Sequence, residues 1–169
     1  MTIAGSDSGG GAGIQADLKA FASLGVHGTS AITCVTAQNP RSVRGLQACS
    51  VEIVRGQIEA VFDELNPAAA KTGMLYSTPI IRVVADFFRR HRQMPLVVDP
   101  VMISTSGSAL LKSGAIKTLL AELLPLAALV TPNLPEAEIM VARHLKNQMP
   151  IPSLIHKLPV RRAAVWQPA

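Results

Sequence analysis

A glycine-rich stretch near the start of the chain, from Gly5 to Gly13, is the first segment whose residue types could do chemistry. It holds five glycines in nine residues, so its backbone can adopt positive φ and approach a ligand closely. Apolar residues then recur at helical spacing, and Gly25 follows as a helix stop. A loop that opens a helix presents unpaired N–H groups and the positive end of the helix dipole. The stretch predicts a loop facing a polar or anionic ligand, with a plain flexible turn as the alternative.

Spacing excludes the two common phosphate-binding glycine loops. A Walker A loop ends in Gly-Lys-Ser/Thr, whereas Gly13 is followed by Ile14 and Gln15. The G-x-G-x-x-G pattern of dinucleotide-binding proteins fails in every register. Asp17 favours a ligand-facing loop over a turn, because it falls among the apolar residues of the predicted helix and a carboxylate there needs a partner.

Polar side chains also follow two of the predicted strands. Asp99 comes directly after the apolar run 96–98, and Asn133 and Glu136 follow the run 127–131. Asp99 is either a turn-forming Asp-Pro or a carboxylate near phosphate and Mg²⁺, which prefers oxygen ligands. Asn133 is either a helix cap, with Glu136 complementing the helix dipole, or part of the same site. The residues alone leave both choices open.

The elements that must hold these residues alternate between strand and helix along the chain. This alternation predicts right-handed βαβ units and a parallel sheet covered on both faces. Ligands bind beyond the carboxyl ends of such strands, where the glycine loop, Gln38, Met74, Asp99 and Asn133 all fall. The predicted strands cover residues 2–4, 29–36, 95–99 and 127–131, and residues 68–75 are predicted as a short strand followed by a loop. The predicted helices cover residues 14–24, 51–65, 79–92 and 113–124, with another beginning at 135, and Ser50 and Thr78 are the predicted N-caps of the second and third. Residues 40–50 are predicted as a polar, flap-like connection.

Composition and charge limit the classes of function. The 169 residues are 49% hydrophobic, which suits one domain with a core. No apolar run reaches the ~20 residues of a membrane span, no signal peptide is recognisable, and two cysteines are too few for a disulfide framework. We therefore expect a cytoplasmic protein without a membrane partner. The net charge of +5 arises after residue 142, since residues 1–142 carry eleven basic and eleven acidic side chains, so no nucleic-acid partner is expected.

Several motifs together resemble those of the hydroxymethylpyrimidine/phosphomethylpyrimidine kinases of thiamine biosynthesis, members of the ribokinase-like superfamily. G-S-D-S-G-G-G-A-G-I-Q-A-D-L-K resembles the family's opening motif, and K-T-G-M-L resembles a pocket segment. V-D-P-V-M resembles the strand-end acid and substrate loop, and T-P-N-L-P-E-A-E resembles the N-x-x-E motif. The resemblance covers about residues 2–142. It implies a ribokinase-like three-layer α/β sandwich with a mostly parallel sheet, of which this chain is the N-terminal part.

The resemblance also implies a reaction, which is ATP- and Mg²⁺-dependent phosphorylation of 4-amino-5-hydroxymethyl-2-methylpyrimidine and then of its monophosphate. A small-molecule pyrimidine substrate and a homodimeric intact protein are implied with it. The alternatives are a vitamin B6 kinase, against which the intact G-x-Q-A-D opening argues, and an inactive pyrimidine-binding fragment. By motif match, Gly5, Ala12, Asp17, Gln38, Met74 and Val101 would shape the pyrimidine pocket, while Asp99, Asn133 and Glu136 would lie near phosphates, with Mg²⁺ held by Asp99 and Glu136. Met74 and Val101 suit a flat ring, and ordinary core packing is their alternative.

The character of the sequence changes after residue 142, which we take as a domain boundary. Residues 143–169 carry five cations, no acid, no glycine and four of the twelve prolines. Such a proline-broken segment of single-sign charge is typical of disorder, and it matches nothing in the family. A frameshift, a premature stop or a basic interaction tail would account for it. Because the family's anion hole and catalytic base would lie beyond the matching part, we expect no catalytic residue in this chain and no turnover by it alone.

Overall fold

The computed structural model describes residues 1–102, 111–112 and 114–147, which form a six-stranded sheet with helices on both faces. The helix predicted over 113–124 is only partly α-helical, because the α-helical turn Ala115–Thr118 continues as the π-helical turn Leu119–Leu123 and the 3-10 turn Leu124–Leu126. The strands are β1 (Thr2–Asp7), β2 (Ser30–Asn39), β3 (Ser42–Ala48), β4 (Ala70–Thr72), β5 (Leu96–Val98) and β6 (Leu129–Val130), and the helices are α1 (Gly13–Ser23), α2 (Val51–Leu65), α3 (Thr78–Arg90), α4 (Ala115–Thr118) and α5 (Leu134–Asn147).

The order of the strands in the sheet is β3-β2-β1-β4-β5-β6. All neighbouring strands are parallel except β2 and β3, so the predicted mostly parallel α/β sheet is confirmed. The chain first builds outward from β1 to β2 and β3, and then crosses to the other side of β1 to build β4, β5 and β6. The order therefore reverses between β1 and β4, and an open α/β sheet forms its ligand crevice at such a reversal.

The segment 40–50 differs from its prediction because most of it pairs with β2 as an antiparallel strand. β2 continues through Asn39, and the chain reverses at Pro40 and Arg41 into β3. The Asn39 side chain stabilises this turn, since its Oδ1 accepts from the backbone N–H of Arg41 at 2.9 Å and of Ser42 at 3.0 Å. Proline and asparagine are ordinary turn residues, so the predicted break is correctly placed, but a hairpin rather than a loop follows it.

The two faces of the sheet are covered by different helices, as residues of β1 show. Ile3 is fully buried and belongs to the main hydrophobic core, which α2 and α3 close on one face. The neighbouring Thr2 lies on the opposite face, where its hydroxyl donates to Asp17 of α1. This alternation follows from the two-residue period of a strand. It places α1 directly over the central strand and beside the reversal of strand order.

The helix starts show one correction to the capping prediction. Ser50 caps α2 as expected, and its hydroxyl accepts from the backbone N–H of Ile53 at 3.3 Å. Thr78, expected to cap α3, is instead its first helical residue, and Ser77 occupies the cap position. No helix among the described residues has the length and apolar character needed to cross a membrane.

Candidate functional site

A cavity of about 400 Å³ lies at the carboxyl ends of β1, β4 and β5, at the reversal of strand order. All nine residues that the sequence singled out line it: Gly5, Ala12, Asp17, Gln38, Met74, Asp99, Val101, Asn133 and Glu136. The ligand roles assigned to them stay predictions. The cavity is also lined by residues that sequence reasoning did not assign to the site: Ser6, Asp7, Gly13, Ala16, Thr36, Lys71 and Gly73.

The glycine loop is held together by the side chain of Asp7, at the end of β1. The Asp7 carboxylate accepts from the backbone N–H groups of Gly9 at 2.8 Å, Gly11 at 3.0 Å and Ala12 at 3.0 Å. Asp7 is buried, so these hydrogen bonds satisfy a charge that has little access to water. The N–H groups of Gly9, Gly11 and Ala12 are therefore taken by Asp7 and are not free for an external anion, while the ligand-facing role of the loop and of the first turn of α1 stays a prediction. The Asp7 carboxylate takes the place of an external anion at these three N–H groups.

Gly13 is the glycine that this geometry needs most. Its φ is +58°, and a Cβ there would lie 2.2 Å from the carbonyl oxygen of Gly5. The first turn of α1 is tied to β1 by Gln15, whose Oε1 accepts from the N–H of Asp7 at 2.9 Å and whose Nε2 donates to the Ser6 hydroxyl at 2.7 Å. Loop, strand and helix therefore form one rigid wall of the cavity.

Asp17, on α1, pairs with Lys71, which is the kind of partner expected for a carboxylate among apolar residues. Lys71 Nζ lies 2.8 Å from Asp17 Oδ1 and 3.0 Å from Oδ2, and 3.5 Å from Asp99 Oδ2. Lys71 belongs to the K-T-G-M-L segment, but its role was missed because sequence spacing does not show which strand crosses beneath α1. The position of Asp17 among apolar residues, which requires a partner for its carboxylate, was the signal in the sequence that could have indicated Lys71.

Asp99, directly after β5, is a carboxylate whose ionisation the site disfavours. Burial raises the pKa of Asp99, the Lys71 ammonium opposes this rise, and the nearby charge of Asp17 adds to it. The Asp99 side chain still keeps 31% of its surface exposed towards the cavity. Asp99 is thus a partly desolvated carboxylate within reach of a ligand, which is typical of functional sites.

Asn133 and Glu136 form a reciprocal capping box at the start of α5. Asn133 Oδ1 accepts from the Glu136 N–H at 2.9 Å, and Glu136 Oε2 accepts from the Asn133 N–H at 3.0 Å. Glu136 Oε1 accepts from the N–H of Met102 at 3.2 Å, so the carboxylate also fixes the chain after β5. Burial raises the pKa of Glu136, these two N–H groups oppose the rise, and the charge of Asp99 adds to it. The capping alternative is correct, and both residues line the cavity as well.

The fit of a magnesium ion differs between the two predicted ligands. Asp99 offers a partly exposed carboxylate, whereas both oxygens of Glu136 already accept backbone N–H groups. Each Glu136 oxygen retains a second lone pair, and Mg²⁺ usually keeps several waters beside one or two carboxylates. Within the described part of the chain, no cluster of three or more His, Cys, Asp or Glu side chains could hold a metal. The donor set therefore fits a hydrated ion and not a closed protein cage.

Comparison with known proteins agrees with these observations. The family model for phosphomethylpyrimidine kinase matches residues 7–163. The chain belongs to this family. A hydroxymethylpyrimidine/phosphomethylpyrimidine kinase from Rhizobium meliloti (strain 1021) is 54% identical over 143 residues, which are 85% of this chain and 53% of that protein.

Solved structures of family members and related kinases share the fold. The phosphomethylpyrimidine kinase of Clostridium difficile 630 aligns with a TM-score of 0.78 and 50% identity, covering 83% of this chain and 61% of that one. The pyridoxal kinase of Staphylococcus aureus in complex with AMP-PCP and pyridoxal aligns with a TM-score of 0.73 and 31% identity, covering 93% and 57%. These alignments confirm the ribokinase-like fold. Of these two proteins, the phosphomethylpyrimidine kinase is more similar to this chain in sequence than the pyridoxal kinase.

The chain spans about half the length of the curated relatives it matches. The boundary at residue 142 stays a prediction. Helix α5 continues through Asn147, and the family match extends to residue 163. The predicted disorder of the tail concerns residues that, from 148 onward, lie outside the described part of the structure.

Proposed function

We propose that this chain forms the pyrimidine-binding half of a hydroxymethylpyrimidine/phosphomethylpyrimidine kinase. The reaction would transfer the γ-phosphoryl group of ATP to the hydroxymethyl group of 4-amino-5-hydroxymethyl-2-methylpyrimidine and then phosphorylate the monophosphate. The observation that carries the proposal is the convergence of nine motif residues on one cavity at the reversal of strand order. The names of relatives that are 50% or more identical over the aligned residues support the same reaction.

The ring would lie between the glycine loop and the strand ends, where polar and apolar groups are both available. Met74 and Val101 supply apolar surface for a flat ring, and Gln38 and Asp17 supply directional hydrogen bonds. The Thr36 hydroxyl has two acceptors in reach, the Ser6 carbonyl oxygen at 3.0 Å and Gln38 Oε1 at 3.2 Å, so the Gln38 amide is held beside Thr36 and β1. An amide held in this way leaves its Nε2 to donate to a ring nitrogen or another acceptor.

The phosphate side of the cavity would be formed by Asp99, Asn133 and Glu136. The described lining carries four carboxylates, of Asp7, Asp17, Asp99 and Glu136, and one ammonium, of Lys71. Such an acidic cavity repels a bare polyphosphate and favours one that arrives with a divalent cation. We therefore include Mg²⁺ with ATP in the proposal, with Asp99 as its direct carboxylate ligand and Glu136 reaching it through water. When bound, ATP with Mg²⁺ supplies the phosphoryl group and part of the charge that neutralises it.

Vitamin B6 kinase activity is the second candidate function. The structural likeness to a pyridoxal kinase bound to pyridoxal favours it, since pyridoxal is also a flat ring with a hydroxymethyl group. The identity of 31% to that kinase, against 54% to a pyrimidine kinase, places it second.

The cellular setting in this proposal is a cytoplasmic homodimer that acts on small molecules. The strand β3 is an outer strand of the described sheet, and Val35 on its neighbour β2 is 51% exposed. Such an edge is commonly covered by another chain. Analytical ultracentrifugation of the protein checks the assembly, and a sedimentation coefficient of a monomer at all concentrations would contradict it.

The test of the proposed function is calorimetric titration of the 169-residue chain with hydroxymethylpyrimidine and with pyridoxal. We expect hydroxymethylpyrimidine to bind with a dissociation constant at least about tenfold below that of pyridoxal, a difference of about 1.4 kcal/mol. Tighter binding of pyridoxal would select the second candidate. Binding of neither ring would refute both.

A further inference from the structure

Lys71 is the cationic group among the described residues that line the cavity, and it lies between two carboxylates. Its Nζ contacts Asp17 Oδ1 and Oδ2 at 2.8 and 3.0 Å and Asp99 Oδ2 at 3.5 Å. An ammonium has three N–H donors, and three carboxylate oxygens surround this one. Lys71 thus hydrogen-bonds both oxygens of Asp17 and forms a longer ion pair with Asp99, so its charge is already balanced before a ligand arrives, which argues against Lys71 as the group that contacts the ligand.

Asp17 is held from a second side by Thr2. The Thr2 hydroxyl donates to Asp17 Oδ2 at 2.5 Å, and Thr2 is fully buried on β1. Oδ2 thus accepts from both Thr2 and Lys71, whereas Oδ1 accepts from Lys71 and keeps a lone pair. Two strands, β1 and β4, therefore fix the orientation of a carboxylate that α1 brings to the cavity wall.

We propose that Lys71 is a positioning residue that fixes the Asp17 carboxylate, so that Asp17 Oδ1 accepts a hydrogen bond from a donor group of the bound ring. The inference rests on the proposed function. A pre-oriented acceptor loses no conformational freedom when it binds, whereas a free carboxylate does. Lys71 also separates Asp17 from Asp99, whose like charges would otherwise turn the two side chains apart.

The test compares three ligands by calorimetry on the 169-residue chain: hydroxymethylpyrimidine, its analogue without the 4-amino group and its analogue without the hydroxyl group. Asp17→Asn first identifies which group of the ligand donates to Asp17. The analogue that lacks this group should bind equally to the Asp17→Asn variant and to the unmodified chain. We expect Lys71→Met to weaken the full ligand about tenfold and to leave that same analogue unaffected. The double variant should bind as Asp17→Asn does, since neighbouring residues of one network act non-additively.

Two further variants control this comparison. Lys71→Arg keeps the cation and should restore part of the lost affinity. Lys19→Met removes a cation that binds the carbonyl oxygen of Gly10 outside the cavity, and it should leave all three affinities unchanged. If Lys71→Met does not fold, as judged by circular dichroism, Thr2→Val removes the other donor to Asp17 and should show the same ligand pattern.

Each contrary result has a distinct meaning. If Lys71→Met weakens the binding of all three ligands equally, Lys71 stabilises the fold and does not position Asp17 for the ligand, which overturns the inference. If Lys71→Met instead spares the other analogue and weakens the one that Asp17→Asn spares, Lys71 itself contacts a different group of the ligand, which also overturns the inference. Failure of the unmodified chain to bind hydroxymethylpyrimidine would refute the proposed function and this inference together.

Discussion

At the scale of single residues, the cavity combines groups whose chemistry is set by their immediate neighbours. Asp99 and Glu136 are both less acidic than usual because burial dominates, yet different groups oppose that burial. A lysine faces Asp99, whereas backbone N–H groups hold Glu136. Glu136 is therefore fixed as part of the fold, and Asp99 stays available to a ligand. Two carboxylates thus serve different purposes within one site.

Gln38→Ala is expected to weaken hydroxymethylpyrimidine by ~1 kcal/mol, about fivefold, because one directional hydrogen bond is lost. Calorimetry on the variant and the unmodified chain gives the difference. Gln47→Ala is the matched control, since Gln47 lies on β3 and its amide bonds the carbonyl of Ala48 away from the cavity. Equal affinity of Gln38→Ala and the unmodified chain would remove Gln38 from the site.

Asp99→Asn is expected to change how stability depends on pH. The pKa of Asp99 is raised in the folded state, so its contribution to stability is present below its usual pKa and is lost as pH rises through the folded value. Asparagine carries no such proton, so the variant should gain stability relative to the unmodified chain as the pH rises from 4 to 7. Urea unfolding at pH 4 and pH 7 measures this gain. Asp63→Asn, at an exposed position on α2, is the control, and a relative stability of Asp99→Asn that falls from pH 4 to pH 7 would contradict the sign.

At the scale of elements, the first strand, glycine loop and helix behave as one unit. Asp7 closes the loop from within, and Gln15 ties α1 back to β1. A glycine-rich sequence therefore produces a rigid wall, because an internal carboxylate satisfies the N–H groups that glycine leaves accessible. For the proposed function, we therefore expect the phosphate at the other side of the cavity, which Asp99 and α5 form.

Gly13→Ala is expected to disrupt this unit. Its φ is +58° and its new Cβ would meet the Gly5 carbonyl at 2.2 Å, so the variant suffers both backbone strain and a steric clash. Gly25→Ala separates the two effects, because Gly25 has a φ of +70° and nothing within 4 Å of its Cβ. We expect Gly25→Ala to cost ~1–2 kcal/mol of unfolding free energy and Gly13→Ala clearly more. Urea unfolding compares them, and equal losses would show that the close approach is relieved without cost.

At the scale of the whole molecule, ligand binding and folding are linked. The cavity is built from β1, β2, β4, α1 and the chain segments after β5 and β6, so a ligand bound there bridges parts that are far apart in sequence. A ligand that binds only the folded state stabilises it in proportion to the logarithm of its concentration. The unfolding temperature therefore reports on the integrity of the whole cavity.

Hydroxymethylpyrimidine at one hundred times its dissociation constant is expected to stabilise the chain by about 2.7 kcal/mol. For a domain of this size, the unfolding temperature should rise by roughly 5–10 °C. Scanning fluorimetry measures the shift, and Gln38→Ala at the same ligand concentration should show a smaller one. No shift for the unmodified chain at saturating ligand would mean that the ring binds the unfolded chain as well or does not bind at all.

The sequence by itself determined which residues meet at the site and in which class of fold. Strand and helix periods are local properties, and the rule that ligands lie beyond parallel strand ends placed Asp99, Asn133 and Gln38 together. The motif resemblance identified the family before the comparison confirmed it.

Only the tertiary structure decided which partners those residues have. Asp7 takes the loop N–H groups, and Lys71 pairs with Asp17 across 54 residues of sequence. Such pairings depend on the side-chain directions of elements packed together in space, which no local period encodes. The hairpin after Asn39 was missed for the same reason, because a polar strand at the sheet edge is defined by its hydrogen bonds to β2 and not by an apolar pattern of its own.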